Sequence, residues 1–569
     1  MRSRLFPLVS CLLLAGLAAP ASAAKPTPEE LAPRVDQIFA EYGASSPGCA
    51  LGVVRDGGII YSKGYGLASL EHGVPLTPQT ALDIGSIAKQ FTATAILLLA
   101  QDGKLSVDDD VRKFIPEMPD YGTPITLRHL LHHTSGIRDY IALLTLGGIN
   151  LEDVATQEES LAAIARQKAL NFRPGDEHSY SNSGYFLLSV VVERVSSKTM
   201  RAFAQERIFG PLGMTNTQYL DDHTLVIPRR ASSYMPRPDG GFRLETCNWE
   251  QTGDGGIQTT VEDLAKWDRN FYDPKVGGPA LIEQLQTTGV LNSGEKIDYA
   301  RGLAVDEYRG LRRVSHNGGW VAFVAEMVRF PDERFSVITL CNVGTADPTG
   351  MALQVADLYL ADRMKPADPK PPAPAAPATG AAPQASSAVD PSSYPGLFFN
   401  PTTGQVLRIH AKEGKLFFER SPGNDTELAP LGPDRFAAVD FPVPLEMSFS
   451  TLSEGLREVR IHVPNNVLVF QSVEPASLSA ADRASLAGTY FSEELGVAYT
   501  LAVEEGNLVL KHANRLPARV LQPAFADAFT APGVRLLRLT RDSGKKVTGF
   551  TISSGRIRDL GFTRVPGAN

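Results

Sequence analysis

Ser86-Ile87-Ala88-Lys89-Gln90-Phe91-Thr92-Ala93-Thr94-Ala95-Ile96-Leu97-Leu98-Leu99-Ala100-Gln101-Asp102-Gly103 is the stretch on which the reading of the fold turns. From Ser86 to Asp102 it is strongly apolar and rich in alanine and leucine, so it reads as a helix that crosses a core and stops at Gly103. Ser86 and Lys89, three positions apart, lie on one face of that helix, one turn from each other. A lysine drawn into such a core is partly desolvated, which disfavours its ammonium form and lets the amine act as a base near neutral pH. The free N–H groups of a helix start can hold developing negative charge. Ser86 with Lys89 is therefore a candidate activated nucleophile. Ser293 with Lys296 and Ser543 with Lys546 repeat the spacing, yet neither pair opens an apolar helix. Context selects Ser86.

Outward from this helix, residues 48–55 and 58–66 are β-rich runs around Asp56-Gly57-Gly58, a hairpin signal. A second apolar helix is expected from Ser183 to Val195. A second hairpin is expected from 320–330 and 335–343, around Pro331-Asp332-Glu333-Arg334, and a closing helix over 350–363. Strands at both ends with helices between them imply an α/β or α+β domain whose antiparallel sheet brings the two ends together.

Two further clusters carry chemistry. Tyr180-Ser181-Asn182 follows Pro174-Gly175 and precedes an apolar helix. A tyrosine hydroxyl can relay a proton if a nearby cation eases its ionisation, and Asn182 offers a donor and an acceptor to an amide. The structural alternative is a core tyrosine beside a helix-capping asparagine. His316-Asn317-Gly318-Gly319 is read at the start of the strand leading to Phe330. Its glycines permit close approach to a strand edge, where a backbone N–H can complete an oxyanion hole. His316 is a candidate partner of Tyr180 or of substrate, against the plainer reading of a structural strand histidine.

The chain begins Met1-Arg2-Ser3-Arg4, continues with a largely apolar run to Ala19 and reaches Ala21-Ser22-Ala23, the pattern of a secretory signal peptide cleaved after Ala23. Leu8-Val9-Ser10-Cys11 resembles a lipoprotein box, with only a short apolar stretch before the cysteine; lipidation at Cys11 is the minor alternative. Pro7 and Pro20 interrupt a run already short for a bilayer span, so no transmembrane anchor is expected after cleavage. A secreted or periplasmic location follows. Cleavage leaves Cys49, Cys247 and Cys341, an odd number without metal-ligand spacing, so at most one pair could bridge and the sequence does not say which. No metal or other cofactor is expected. The net charge of −8 gives no basic field for nucleic acid.

Between Pro366 and Asp390 the composition shifts to alanine and proline, a semi-extended spacer. Beyond it, Gly396, Gly404, Gly414, Leu416, Phe470 and Val473 recur as Gly488, Gly496, Gly506, Leu508, Phe562 and Val565, each 92 residues later. This argues for two copies of a small β unit, with β-barrels the natural guess.

Taken together, Ser86-x-x-Lys89, Tyr180-x-Asn182 and His316-x-Gly318 resemble the serine β-lactamase and penicillin-binding-protein superfamily in its class C branch. That branch includes D-alanyl-D-alanine carboxypeptidases, D-aminopeptidases and esterases. Leu130-Leu131-His132-His133-Thr134-Ser135-Gly136, Phe172-x-Pro174-Gly175 and Pro211-Leu212-Gly213-Met214 support the likeness. The resemblance implies an α/β (α+β) catalytic domain over residues 28–364, with an antiparallel sheet flanked by helices. A signal peptide (1–23) precedes it; a linker (365–392) and two β-barrel repeats (393–476 and 484–567) follow. It further implies Ser86 as acylated nucleophile, Lys89 and Tyr180 as proton carriers, Asn182 and His316 as substrate contacts, and the N–H groups of Ser86 and Gly319, beside Gly318, as oxyanion hole. His132-His133 then belongs to a structural loop. Histidine at 316, where class C β-lactamases have lysine, argues against potent β-lactamase activity. The expected function is hydrolysis of small D-amino-acid peptides, amides or related esters, cell-wall fragments among them. The alternatives are a promiscuous carboxylesterase, a weak β-lactamase, or a catalytically silent binding or sensing protein. D-aminopeptidases of the branch carry two similar barrels, one of which sends a loop into the site; whether these barrels do so is left open.

Overall fold

The computed structural model describes residues 26–366 and 390–567, apart from 422–423, 440, 442–444, 453–455, 464–465 and 513–514. The expected signal peptide with Cys11, and most of the alanine–proline spacer, lie outside the described residues.

Strands β1 (Cys49–Arg55) and β2 (Gly58–Tyr65) form the expected hairpin. It turns at Asp56 and Gly57, both at positive φ, which suits strand twist. The sheet is completed by β3 (Ala304–Tyr308), β4 (Leu311–Trp320), β5 (Phe323–Phe330) and β6 (Phe335–Cys341). Its order is β3-β4-β5-β6-β1-β2, antiparallel throughout, so the two ends of the unit meet where β1 pairs with β6. In that register Cys49 faces Cys341, and the two form a disulfide; Cys247 is free.

The His316 strand needs a correction. The run leading to Phe330 does not begin at 320: β4 ends at Trp320, the chain reverses at Val321 (φ +55°), and β5 starts at Phe323. Val321 in the left-handed region is what hides this turn, because a β-branched residue is unusual there. His316-Asn317-Gly318-Gly319 thus ends one strand instead of opening the next.

The helices that position the site are α1 (Pro28–Ile38), α2 (Lys89–Gln101), α3 (Asn182–Ser196), α4 (Val261–Arg269) and α5 (Pro348–Tyr359). Alternation along β1 sorts its side chains. Leu51 and Val53 pack with α1 and α5, whereas Ala50 and Val54 join the larger core that holds α2, α3 and α4. Gly52 admits α4, since a Cβ there would lie 2.4 Å from Val261 Cγ1. Every residue from Lys89 to Leu99 is buried. The regular helix begins at Lys89, not Ser86; residues Gly85–Ala88 make a tighter 3₁₀ turn entered through Gly85 at φ +48°.

Eight strands between Gly396 and Val473 close into a barrel, and nine between Gly488 and Arg564 form a nearly closed one. Strands Gln405–Lys412 and Val497–Glu504, 92 residues apart, bury the same alternate positions. The first barrel packs on the second through Leu397, Ala524, Ala528 and Leu536. The second docks on the unit built around the six-stranded sheet: Leu143 and Leu146 of helix Tyr140–Leu146 enter its core, and Arg138 Nη1 donates to Glu494 Oε2 at 2.5 Å in a buried ion pair. No helix among the described residues is long and apolar enough to cross a membrane.

Candidate active site

Lys89 Nζ lies 3.0 Å from Ser86 Oγ, 3.0 Å from Asn182 Oδ1 and 2.6 Å from the Asp254 carbonyl oxygen. The last two atoms can only accept. In a neutral amine they take both N–H groups and leave the lone pair for the Ser86 hydroxyl proton. Burial drives the Lys89 pKa well below the ordinary lysine value, and nearby Arg556 pushes the same way, while Asp254 and Asp139 oppose. Asp254 responds in kind: burial raises its carboxyl above the usual range, and Tyr140 Oη donates to it at 3.1 Å.

Two loops present Tyr180. The His133 carbonyl accepts the Ser179 N–H (2.9 Å), His133 Nδ1 accepts the Ser181 N–H (3.1 Å), and the His133 and Tyr180 rings lie 4.1 Å apart. At Gly136 a Cβ would fall 2.0 Å from the Phe172 carbonyl oxygen, so this close pairing of loops requires glycine. His132 is bound to the Arg128 and Thr287 carbonyls, as a structural loop residue. Tyr180 Oη is buried and makes no hydrogen bond of ordinary geometry, yet it sits beside Ser86. Burial raises its pKa, and Ser86 and the guanidinium of Arg556 pull it back.

The strand end β4 completes the cleft. Its pairing with β3 runs only from Leu311 to Ser315, so His316–Trp320 continues past that partner. A Cβ on Gly318 would stand 1.9 Å from the Ile84 carbonyl oxygen, and one on Gly85 2.5 Å from Gly319 N. These glycines let the strand lie directly on the turn that carries Ser86, bringing the Ser86 and Gly319 N–H groups to one region. His316 meets a different partner from the one expected: Tyr299 Oη lies 2.9 Å from its Nε2, and its Nδ1 lies 2.6 Å from the Asn317 carbonyl oxygen. With both nitrogens engaged inside the protein, it does not reach Tyr180 Oη. Burial and Lys89 lower its pKa to about 4, so it is neutral at physiological pH.

A cavity of about 700 Å³ opens over Ser86, and part of its wall comes from the second barrel: Arg519, Gly533 and the turn Ser554-Gly555-Arg556. Arg556 Cζ stands 4.7 Å from the centre of the Tyr180 ring. Asp139, Asp254, Tyr299 and Arg556 escaped the sequence reading. Of these, Arg556 falls within the repeat: 92 positions earlier in the sequence stands the uncharged Pro464. Among the described residues, Asp222, His223 and Glu250 are close enough to share a cation, but they do not line this cavity.

A β-lactamase family model matches residues 35–360. A D-aminopeptidase of Cereibacter sphaeroides is 27% identical over 544 residues, covering 91% of this chain and 96% of that protein. Penicillin-binding protein 4* of Bacillus subtilis is 31% identical over 304 residues, covering 50% of this chain and 66% of that protein. Among solved structures, an octameric penicillin-binding protein homologue from Pyrococcus abyssi shares the fold, with TM-score 0.54, 23% identity, and coverage of 78% of this chain and 99% of that one. The matched span runs from α1 through α5 and encloses every side chain around Ser86 except those lent by the second barrel, and on that ground the chain belongs to the β-lactamase family, as a serine hydrolase.

Proposed function

We propose that the protein is an exported hydrolase of D-amino-acid peptides, amides or related esters, working through an acyl-enzyme on Ser86. The observation that carries this reading is the 3.0 Å contact between a buried, pKa-lowered Lys89 and Ser86 Oγ. Neutral Lys89 takes the hydroxyl proton as Ser86 Oγ attacks the carbonyl carbon. The oxyanion is received by the Ser86 and Gly319 N–H groups. Tyr180, kept protonated by burial, donates to the departing amine or alcohol and is reprotonated from Lys89. Water, activated by the reverse relay, then frees the acid and restores Ser86. Relatives named D-aminopeptidase that align across the barrels as well as the catalytic unit support the D-amino-acid preference. The Cys49–Cys341 disulfide and the leader-like N-terminus support export.

The test uses protein recovered from the exported fraction, whose chain should begin at Ala24. Paired D- and L-amino-acid anilides and esters are assayed, with Ser86→Ala as control. The reading expects D-selective amide turnover, a fluorophosphonate adduct on the Ser86 peptide, and a loss on the order of 10⁴- to 10⁶-fold in the variant. Turnover confined to esters would favour the carboxylesterase alternative. Unchanged turnover in the variant, or the absence of any adduct, would refute the proposal.

A further inference from the structure

The cavity over Ser86 has an unbalanced set of charges. Its two carboxylates are buried: Asp139 has both oxygens bonded, while Asp254 is bonded through Oδ2 and its Oδ1 has no hydrogen-bond partner among the described residues. Asp139, with its side chain 3% exposed, accepts the N–H groups of Ile141 (3.1 Å) and Asn182 (2.8 Å), which fixes the start of two helices. Asp254 is buried and accepts from Tyr140. The cations are placed differently. Arg519 and Arg556 both line the cavity and both come from the second barrel. The Arg556 side chain is 44% exposed; it lies over the Tyr180 ring and makes one long polar contact, Nη1 to Asp139 Oδ2 at 3.3 Å. Its backbone is firmly placed: the carbonyl accepts from Asn171 Nδ2 (2.8 Å), and the next residues but one are clamped as Arg558 N donates to Asn171 Oδ1 (2.8 Å) and its guanidinium pairs with Glu177. A rigid turn thus presents a guanidinium with unused donors beside the phenol that neighbours Ser86. His316, uncharged and engaged with Tyr299, adds no competing cation on the strand side.

We propose that Arg556 is a specificity-determining residue that binds a substrate carboxylate a few bonds from the scissile carbonyl. The preferred substrates are then peptides or amides whose D-residue beyond the cleaved bond bears a free carboxylate, not ones that present a free α-ammonium group. This deepens the proposed function and rests on it. Guanidinium meets carboxylate through paired N–H donors in a fixed fork, a geometry an ammonium group lacks. A substrate ammonium entering the same space would meet two arginines, while Asp139 is already paired with backbone N–H groups and Arg556, and Asp254 is buried.

The test compares kcat/KM for N-acetyl-D-Ala-D-Ala and for its C-terminal carboxamide in one protein at a time, with D-alanine p-nitroanilide as the free-ammonium probe. Wild type should favour the carboxylate by roughly 10- to 100-fold, the range expected for hydrogen bonds to a charged group. Arg556→Gln should bring that ratio close to one, and Arg556→Lys should keep part of it. A ratio is read because Arg556 also influences Tyr180 and Lys89, and a general loss of rate would cancel from it. An unchanged ratio in Arg556→Gln overturns the inference while leaving the hydrolase reading intact. Faster wild-type turnover of the free-ammonium probe than of the carboxylate does the same. If no substrate turns over and Ser86 takes no adduct, both readings fall together.

Discussion

Lys89 Nζ and Tyr180 Oη are both buried beside Ser86, and burial sorts them into opposite roles, because desolvation disfavours an ammonium and a phenolate alike. The amine is thereby left free to accept a proton and the phenol free to give one. The pH dependence follows with a definite sign. In the proposed mechanism the base is the unprotonated Lys89 amine, whose pKa is pushed down to about 7, so kcat/KM for a neutral ester should rise with pH and reach half its plateau near neutrality. Arg556 contributes to that lowering, so Arg556→Gln should move this acid limb to higher pH. An acid limb near the ordinary lysine value in wild type, or one that moves to lower pH in the variant, would contradict this account. At this scale the sequence was legible where residue type and spacing mark a motif: Ser86, Lys89, Tyr180, Asn182 and the glycines after His316 stood out. It was silent on groups that only the folded chain brings to the site, Asp139, Tyr299 and Arg556 among them. Asp254 holds Lys89 through its carbonyl oxygen, which any residue could supply.

Between β4 and the turn before α2 the contact is backbone against backbone, and glycine alone permits it. Gly318→Ala should force the strand away from the turn, since the added methyl would stand 1.9 Å from the Ile84 carbonyl oxygen. Separating the two N–H groups of an oxyanion hole costs on the order of 10²- to 10³-fold in kcat. Gly319→Ala, whose Cβ would meet nothing within 4 Å, should be milder, and equal losses in the two variants would argue against this geometry. The elements themselves were largely readable from periodicity and turn residues. Asp56-Gly57 marked one hairpin, and the apolar runs marked α2 and α3. The reversal at Val321 was not readable, because a valine at positive φ is imposed by the strands on either side and has no local signature. Nor was β3, whose five residues show an exposed and half-buried edge without apolar alternation.

Across the whole molecule the second barrel is fastened by a charge pair and not merely by apolar contact. Arg138 is 2% exposed and its guanidinium also donates to Gln167 and to the Arg558 and Asp559 carbonyls. Glu494→Ala would strand that cation in the interface, and breaking a buried pair in this way costs about 3–5 kcal/mol. Lys168→Ala removes the exposed partner of the adjacent Glu493, a pair screened by solvent, and should leave stability nearly unchanged. Denaturant titrations of the two variants should therefore separate clearly, and equal midpoints would show that the interface does not depend on the pair. The 92-residue repeat foretold two barrels, but which copy meets the cleft depends on loop chemistry at residues 138, 171, 494 and 558, which no periodicity encodes. The pairing of β1 with β6 has a consequence for how this chain is made. Cys49 emerges early, but its partner lies 292 residues downstream, so during synthesis the first hairpin must remain without its central neighbour until most of the catalytic unit has been assembled. That order of events leaves an unsealed strand edge waiting in the nascent chain, open to pairing with another chain until its own partner arrives.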